Sequence, residues 1–438
     1  MKQNTSNQKY RYSSRVPLKA KPSSFTKKQW KLLVESDNFC MMPWVHMHAY
    51  PDGRVYPCCV AEYHHSIGNL QKTSMEEVWN GEGYRQLRRN MMADKPSKQC
   101  SRCYEQEKNK LFSMRNESNR TYGHHVGLVD QTDETGYNPD FHLRYWDIRF
   151  SNLCNFKCRT CGPAFSSQWF KDHKKMYGKV PDALGRELNV IEYAGGSEDS
   201  ILEQMEQHIP TLEQVYFAGG EPLIMKEHYY LLEKLIEYGK TDITLQYNTN
   251  FSELRYKDKH VFDYWKHFKN VSVGASLDGS GTRGELIRKG QNWTQTVQNR
   301  ERMIQEVPHV DFYVSSTVSS LNVLHILDFH REWTELGLVK AKDWNVNLCQ
   351  SPQWYRPDAL PVSFRKDVVI PAIEKHIEWL KPQDPLTRAT VGYKGIINFI
   401  NNDNNANWQE FIDMTSEMDN FRNENFWDIF TEYAVIRP

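Results

Sequence analysis

The sequence predicts an α/β fold in which a domain of alternating strands and helices follows a small cysteine-bearing domain and precedes a helical extension. Three observations predict it. From about residue 140 onward, strand-like runs alternate with amphipathic helical runs, the mark of βα repeats. The chain has 438 residues, enough for two or three domains, one of them a repeat domain of about 200 residues or more. Eight of the nine cysteines fall into two groups, Cys40 to Cys103 and Cys154 to Cys161, and only Cys349 stands apart.

Residues 1–37 are rich in Lys, Arg, Ser and Asn with little periodicity, and read as a poorly ordered basic arm. Residues 38–115 form the small domain. In it Pro51-Asp-Gly53 is a turn signal between two short strands, Trp44 to Tyr50 and Arg54 to Tyr56, so a hairpin brings Cys40 and Cys58 together. Gly68-Asn-Leu70 then reads as a turn and Met75 to Trp79 as a helix.

The βα domain spans residues 140–350. Its first strand, His142 to Phe150, alternates apolar Trp146, Ile148 and Phe150 with polar neighbours and runs into the second cysteine group. Five more strands follow at Val215–Ala218, Ile243–Tyr247, Val271–Leu277, Val310–Val314 and Trp344–Leu348. Helical patterns at Lys226–Tyr238, Val261–Phe268, Thr296–Val307 and Val323–Leu336 lie between them. Residues 351–438 carry three amphipathic helical stretches, Phe364–Leu380, Leu386–Asn401 and Trp408–Tyr433, whose Trp and Phe content suits packing against the βα domain.

Composition narrows the function classes. Lys plus Arg and Asp plus Glu number 55 each, so the formal net charge is zero and nothing argues for a general nucleic-acid or membrane surface. No apolar stretch approaches the length of a membrane span, and the first ten residues hold no hydrophobic signal region. A cytoplasmic protein is expected, in which nine cysteines are metal ligands sooner than disulfides.

Ser151-Asn-Leu-Cys-Asn-Phe-Lys-Cys-Arg-Thr-Cys-Gly162 spaces Cys154, Cys158 and Cys161 as C-x3-C-x2-C. Three thiolates on one short loop suit three irons of a [4Fe–4S] cluster and leave the fourth iron open. The other readings are zinc, which a lone triplet leaves under-coordinated, and structural thiols. The triplet resembles that of the radical S-adenosylmethionine (SAM) enzymes, whose open iron binds the amino and carboxyl groups of SAM. In that family the cluster delivers one electron, SAM is cleaved reductively, and the 5′-deoxyadenosyl radical takes a hydrogen atom from substrate.

The resemblance implies a partial (β/α)6 barrel with its chemistry at the C-terminal strand ends. Gly219-Gly-Glu-Pro222 ends the second strand and resembles the family's GGEP motif, in which Gly219, Gly220, Glu221 and Pro222 would receive the SAM ammonium. Tyr247-Asn-Thr-Asn250 is similar to a Thr-Asn-Gly turn of relatives, which implicates Asn250, with Phe251 where glycine is usual. Ser276-Leu-Asp-Gly279 implicates Ser276 and Asp278, and Arg288 resembles the arginine that pairs with the SAM carboxylate. Thr160 stands before Cys161 where relatives often carry an aromatic residue.

Cys40, Gly53, Cys58, Cys100 and Cys103 give C-x12-G-x4-C followed by C-x2-C. This looks like the twitch domain, the single-cluster relative of the SPASM domain, which implies an auxiliary [4Fe–4S] cluster on Cys40, Cys58, Cys100 and Cys103. A zinc ribbon is the competing reading of four such ligands. Cys59 is a spare thiol, and His46 and His48 read as packed or solvated. Twitch domains usually follow the barrel, whereas here the domain precedes it.

The whole reading is a two-cluster radical SAM enzyme, supplied with electrons by a donor such as flavodoxin or ferredoxin and acting on a peptide or protein. The auxiliary cluster would ligate substrate or pass an electron. The alternatives are radical oxidation or dehydrogenation of a small molecule or nucleotide and, from another class, a non-catalytic zinc or iron–sulfur module. Cys349, at the C-terminal end of the last strand with Asn345 and Asn347 on its face, is a candidate hydrogen-atom donor.

Overall fold

The computed structural model describes residues 24–108, 112–181, 185–198, 200–403 and 407–438. Most of the basic arm lies outside them. The expectation of disorder up to residue 37 fails for the part that is described: Lys27–Trp30 and Lys31–Glu35 are helical. The reason is local, since Thr26 and Gln29 form a reciprocal capping box that satisfies the first turn.

The chain divides into two compact units. Unit 1 holds the described residues within 24–153, 181–246 and 267–270. Unit 2 holds residues 154–180, 247–266 and 271–438. The small cysteine domain and the first barrel strands therefore share one unit.

In unit 1, β1 (His46–Ala49) and β2 (Arg54–Tyr56) make the expected antiparallel hairpin, with His48 opposite Tyr56. Gly53 closes it at φ 78°, a left-handed conformation that favours glycine. Trp44 and Val45, read as strand, belong instead to the helix Met42–Val45, because Pro43 sets a helical φ in its first turn. Gly68 and Asn69, read as a turn, form β3 (Gly68–Asn69) against β2. The backbone bonds Ile67 N–H to Val55 O and Leu70 N–H to Gly53 O, both 2.8 Å, hold this strand, which is too short to show alternation. β4 (Tyr145–Ile148) lies parallel to β1, pairing His46 with Tyr145 and Ala49 with Ile148, and β5 (Gln214–Phe217) lies parallel to β4. Phe39, Met41, Met42, Trp44, Val45, Leu87, Met91, Tyr122 and Val126 pack into one apolar core beside Tyr145.

β6 (Thr244–Thr249) begins in unit 1 and ends in unit 2. Past the short hairpin of β7 (Arg255–Tyr256) and β8 (Lys259–His260), β9 (Asn270–Ala275), β10 (Asp311–Val318) and β11 (Trp344–Leu348) run parallel. Helices Lys226–Glu237, Val261–Trp265, Trp293–Glu306 and His325–Glu335 follow the expected order. Phe251 is fully buried at φ 57° against Phe312, with ring centroids 5.3 Å apart. Packing thus holds a large residue in a backbone conformation that glycine would adopt at lower cost.

The C-terminal helices pack as expected. Helix Arg388–Ile400 lies so close to β11 that a Cβ on Gly392 would sit 2.7 Å from Val346 Cβ. The third stretch breaks at Asn423, left-handed at φ 53°, so helix Trp408–Arg422 ends there and Phe426–Ile429 starts a new turn. His330 stacks on Trp344 at 4.3 Å and hydrogen-bonds Tyr393 Oη at 2.9 Å.

Burial holds several histidines neutral. It lowers His46 and His325 to about 4, and His208, His228 and His376 to about 3. Unfolding frees these rings to take up protons near pH 6.5. Stability is therefore complete above pH 6.5 and falls as pH drops from there toward 4, since the unfolded chain binds more protons in that window. Each ring contributes a loss of about 1.4 kcal/mol per pH unit. Urea unfolding at pH 7.5 and 5.5 checks this: the midpoint should drop sharply, and part of the drop should vanish in His228→Phe.

Candidate functional site

Unit 2 holds the three-cysteine loop and four of the eight expected SAM-contact residues, Asn250, Ser276, Asp278 and Arg288. The loop backbone is anchored on several sides. Lys157 N–H donates to Lys289 O at 2.8 Å and Arg159 N–H to Ile287 O at 2.7 Å, which lays the loop along the segment carrying Arg288. Asn250 Nδ2 donates to Asn155 Oδ1 at 2.8 Å, and Asn155 Nδ2 donates to Ser252 Oγ at 2.9 Å, so the end of β6 holds the loop. Trp169 Nε1 donates to Cys158 O at 3.0 Å.

The C-terminal extension supplies a further anchor that sequence reasoning missed. The fully buried Arg159 guanidinium pairs with Asp419 and, at 2.7 Å, with Glu424. Arg422 donates to Lys157 O at 2.8 Å while its guanidinium lies 4.6 Å over the Trp169 ring. Partners about 260 residues apart share no local pattern that could reveal them.

Arg288 and Asp278 come together as a buried ion pair at 2.8 Å, and Arg288 Nη1 lies 3.9 Å from Cys158 Sγ. Asp278 also accepts from Thr317 N–H at 2.7 Å, and its carbonyl from Asn322 Nδ2 at 2.8 Å. Burial pushes the Cys158 thiol up, while the cations of Arg288 and Arg422 oppose it. Burial pushes Cys161 up to about 12. Ser276 is placed through its N–H on Thr249 O at 2.7 Å. Cys349 is buried at the end of β11, donating to Ser351 O at 3.4 Å, and is pushed up to about 12 by burial and then by the charge of Asp278.

Gly219 to Pro222 lie in unit 1. Both glycines are required there. Gly219 and Gly220 have φ of 84° and 35°, and a Cβ on Gly220 would meet Leu153 O at 2.2 Å. That approach lets Glu221 N–H donate to Leu153 O at 2.7 Å, tying the motif to the residue that precedes Cys154. Glu221 is fully buried, and its Oε1 accepts from Leu223 N–H at 3.1 Å.

Unit 1 also holds the second cysteine group. Cys40, Cys58, Cys100 and Cys103 line one cavity of about 400 Å³, with Met42, Pro43, Met91 and Arg115. Burial, and then the neighbouring thiols Cys59, Cys103, Cys100 and Cys40, push Cys58 up. Arg115 is buried here, donating to Ser36 O at 2.9 Å, to Phe39 O at 3.1 Å and through Nε to Glu107 at 2.9 Å. A fixed cation beside four thiols suits the negative charge of a thiolate-ligated cluster.

The zinc and cluster readings differ in the spacing they ask of the thiols. A single zinc ion holds its thiolates about 3.8 Å apart. Among the described residues, three ligand atoms come within 4.8 Å of one another only at His124, His125 and Glu213. In an iron–sulfur cluster each thiolate binds a different iron, which suits a wider set on a cavity wall.

Cys59 faces a second cavity, of about 490 Å³, lined also by Glu117, Tyr122, Gln214, Tyr216 and Gln246. His46 and His48 are packed, as expected. His48 Nδ1 meets Asp147 Oδ2 at 3.1 Å, and Arg149 Nε meets Asp147 Oδ1 at 2.9 Å. Burial alone would raise Asp147, but Arg149 and then His48 outweigh it and hold the carboxyl below the usual range. The strand pattern marked Asp147 only as a polar neighbour of Trp146.

Comparison with known proteins agrees with this arrangement. Residues 148–326 match the radical SAM superfamily, and residues 40–104 match the SPASM iron-sulfur cluster-binding domain. The chain thus carries a radical SAM domain with a SPASM iron–sulfur cluster-binding domain ahead of it. Its cofactors are SAM, the [4Fe–4S] cluster of the barrel and iron–sulfur at the auxiliary site.

No curated protein matches the chain. Among solved structures, native anSMEcpe with bound AdoMet is 18% identical with a TM-score of 0.37, over 58% of this chain and 62% of that one. Streptococcus suis SuiB bound to S-adenosylmethionine is 13% identical with a TM-score of 0.35, over 62% of this chain and 52% of that one. SuiB bound to its precursor peptide SuiA is 14% identical with a TM-score of 0.30, over 53% and 50%. The chain thus spans 62% or less of the length of these structures. Among the described residues, no helix is long and apolar enough to cross a membrane.

Two outcomes follow for metal content. Anaerobically reconstituted protein should hold about eight irons and eight sulfides, and alanine at Cys154, Cys158 and Cys161 should remove about half. Arg159→Ala leaves Asp419 without its cation, while Glu424 keeps Lys289 at 2.6 Å, a change of about 3 kcal/mol. It should lower the melting temperature and speed iron loss to a chelator until only the auxiliary complement remains.

Proposed function

We propose that the chain reductively cleaves SAM at Cys154, Cys158 and Cys161 and uses the resulting radical to take a hydrogen atom from a peptide or protein. The observation that carries the reading is the anchored three-cysteine loop, since no other cysteine occurs between residues 104 and 348. When bound there, the cluster supplies single electrons and an open iron for SAM.

The chain's own residues would do the rest. Arg288, fixed by Asp278 beside Cys158, offers a cation to the SAM carboxylate. Gly219 and Gly220 bring the backbone close, and Glu221 offers a carboxylate to the ammonium. Asn250 and Ser276 stand at strand ends in the unit that holds the loop. The thiol of Cys349 stays protonated at neutral pH, the form in which it could return a hydrogen atom to a substrate radical. A flavodoxin or ferredoxin would supply electrons, and the auxiliary cluster on Cys40, Cys58, Cys100 and Cys103 would ligate substrate or pass an electron. The cavity lined by Glu117, Gln214 and Gln246 offers amide and carboxyl groups suited to a peptide, and it shares Met42 and Met114 with the cysteine cavity.

With a strong reductant and SAM, the protein should release 5′-deoxyadenosine and methionine slowly, even without substrate. Full activity of the triple cysteine variant would sink the assignment, and a metal-binding module without catalysis would release neither product. Glu221→Gln should weaken SAM binding about ten-fold or more, through loss of a charge-assisted bond. Once the substrate is in hand, Cys349→Ala should abolish deuterium incorporation from solvent, and unchanged incorporation assigns Cys349 to packing.

A further inference from the structure

Outside both cysteine sites, three ligand atoms converge in unit 1. His125 Nε2 lies 2.7 Å from Glu213 Oε1 and His124 Nε2 lies 3.2 Å from the same oxygen. All three atoms fall within 4.8 Å of one another. Consecutive histidines rarely point the same way, because neighbouring side chains in a helix or strand diverge. Here they sit at the start of the 3₁₀ segment Gly123–Gln131, and their rings lie 4.0 Å apart, tilted by 41°.

The carboxylate is held on a rigid base. Glu213 directly precedes β5, its N–H donates to Arg144 O at 2.8 Å and its carbonyl accepts from Thr244 N–H at 2.9 Å. The next residue, Gln214, accepts from Tyr122 Oη at 2.8 Å, which braces β5 against the end of the helix leading to the histidines. Side-chain exposures of 14%, 21% and 23% leave the group reachable by an ion yet sheltered from bulk water.

We propose that His124, His125 and Glu213 bind a divalent transition-metal ion, with Zn²⁺ the best match. Two imidazole nitrogens and one carboxylate oxygen are a zinc donor set, with water in the fourth position. Zn–N and Zn–O bonds near 2.0–2.2 Å in a tetrahedron place ligand atoms about 3.3–3.5 Å apart. The observed 3.2 Å is within a few tenths of an ångström of that spacing, and the observed 2.7 Å must open by less than about 1 Å to reach it. The ion would replace the protons that now join each ring to Glu213. It would tie the segment after helix Met114–Tyr122 to the N-terminal end of β5, the end opposite Gly219 to Pro222. The role is a clip between the segment that follows the auxiliary domain and the strand that carries the GGEP turn.

The test uses holoenzyme with both clusters loaded, so that the cysteines are occupied, equilibrated with micromolar Zn²⁺ or Co²⁺ and then desalted. One additional zinc per chain is expected, with iron unchanged. Affinity should fall at least about ten-fold in His125→Ala and Glu213→Gln, as for loss of a metal ligand. The double variant His124→Asn/His125→Asn keeps side-chain donors facing Glu213 and guards against a mere folding defect. It too should lose the ion while retaining iron and its circular-dichroism spectrum. The cobalt form of the native chain should show nitrogen and oxygen ligation. No uptake by holoenzyme, uptake undiminished in the variants, or a thiolate-to-cobalt absorption band would each overturn the proposal.

Discussion

Three thiols on one short loop must keep their places while a charged group is built on them, and the anchoring of that loop is what the rest of unit 2 depends on. A free loop would lose its preorganisation to backbone entropy. Here backbone bonds to residues 287 and 289, the Asn250–Asn155–Ser252 chain and the Arg159 ion pairs hold it from separate elements. Each anchor comes from a distant part of the sequence, so the site exists only in the folded chain. The C-terminal helices are therefore part of the scaffold that holds the cysteine loop.

Charge compensation follows the same logic at both cysteine sites. Burial disfavours thiolates, as the upward shifts of Cys40, Cys58, Cys158 and Cys161 show. A buried cation answers it in each case: Arg288 lies beside Cys158, and Arg115 lies beside the auxiliary group. Each arginine is itself fixed by a carboxylate, Asp278 and Glu107 respectively, so the cation stays in place at modest entropic cost. Metal binding releases the thiol protons, which couples occupancy of both sites to folding.

The auxiliary domain precedes the barrel in the chain, yet it is no separate bead. β1 pairs in parallel with β4, and Met42, Trp44 and Val45 share a core with Tyr145 and Tyr216. The buried His48–Asp147–Arg149 chain crosses the same junction. In unit 1 the cysteine domain thus helps to build the first barrel strands.

Much was legible from the sequence because it is encoded locally. The spacing of Cys154, Cys158 and Cys161, the Gly-Gly-Glu-Pro turn and the six strand runs all depend on near neighbours, and all appear in the fold. The errors were local too. Pro43 turned the start of a strand into a helix, and β3 was too short to alternate. What only the tertiary structure decided are the pairings between residues far apart: Arg159 with Asp419 and Glu424, Arg288 against both Asp278 and Cys158, and two adjacent histidines on Glu213. Propensity and periodicity carry no information about which distant charge will neutralise a buried one. That choice is made when burial removes water and each ion must find a partner.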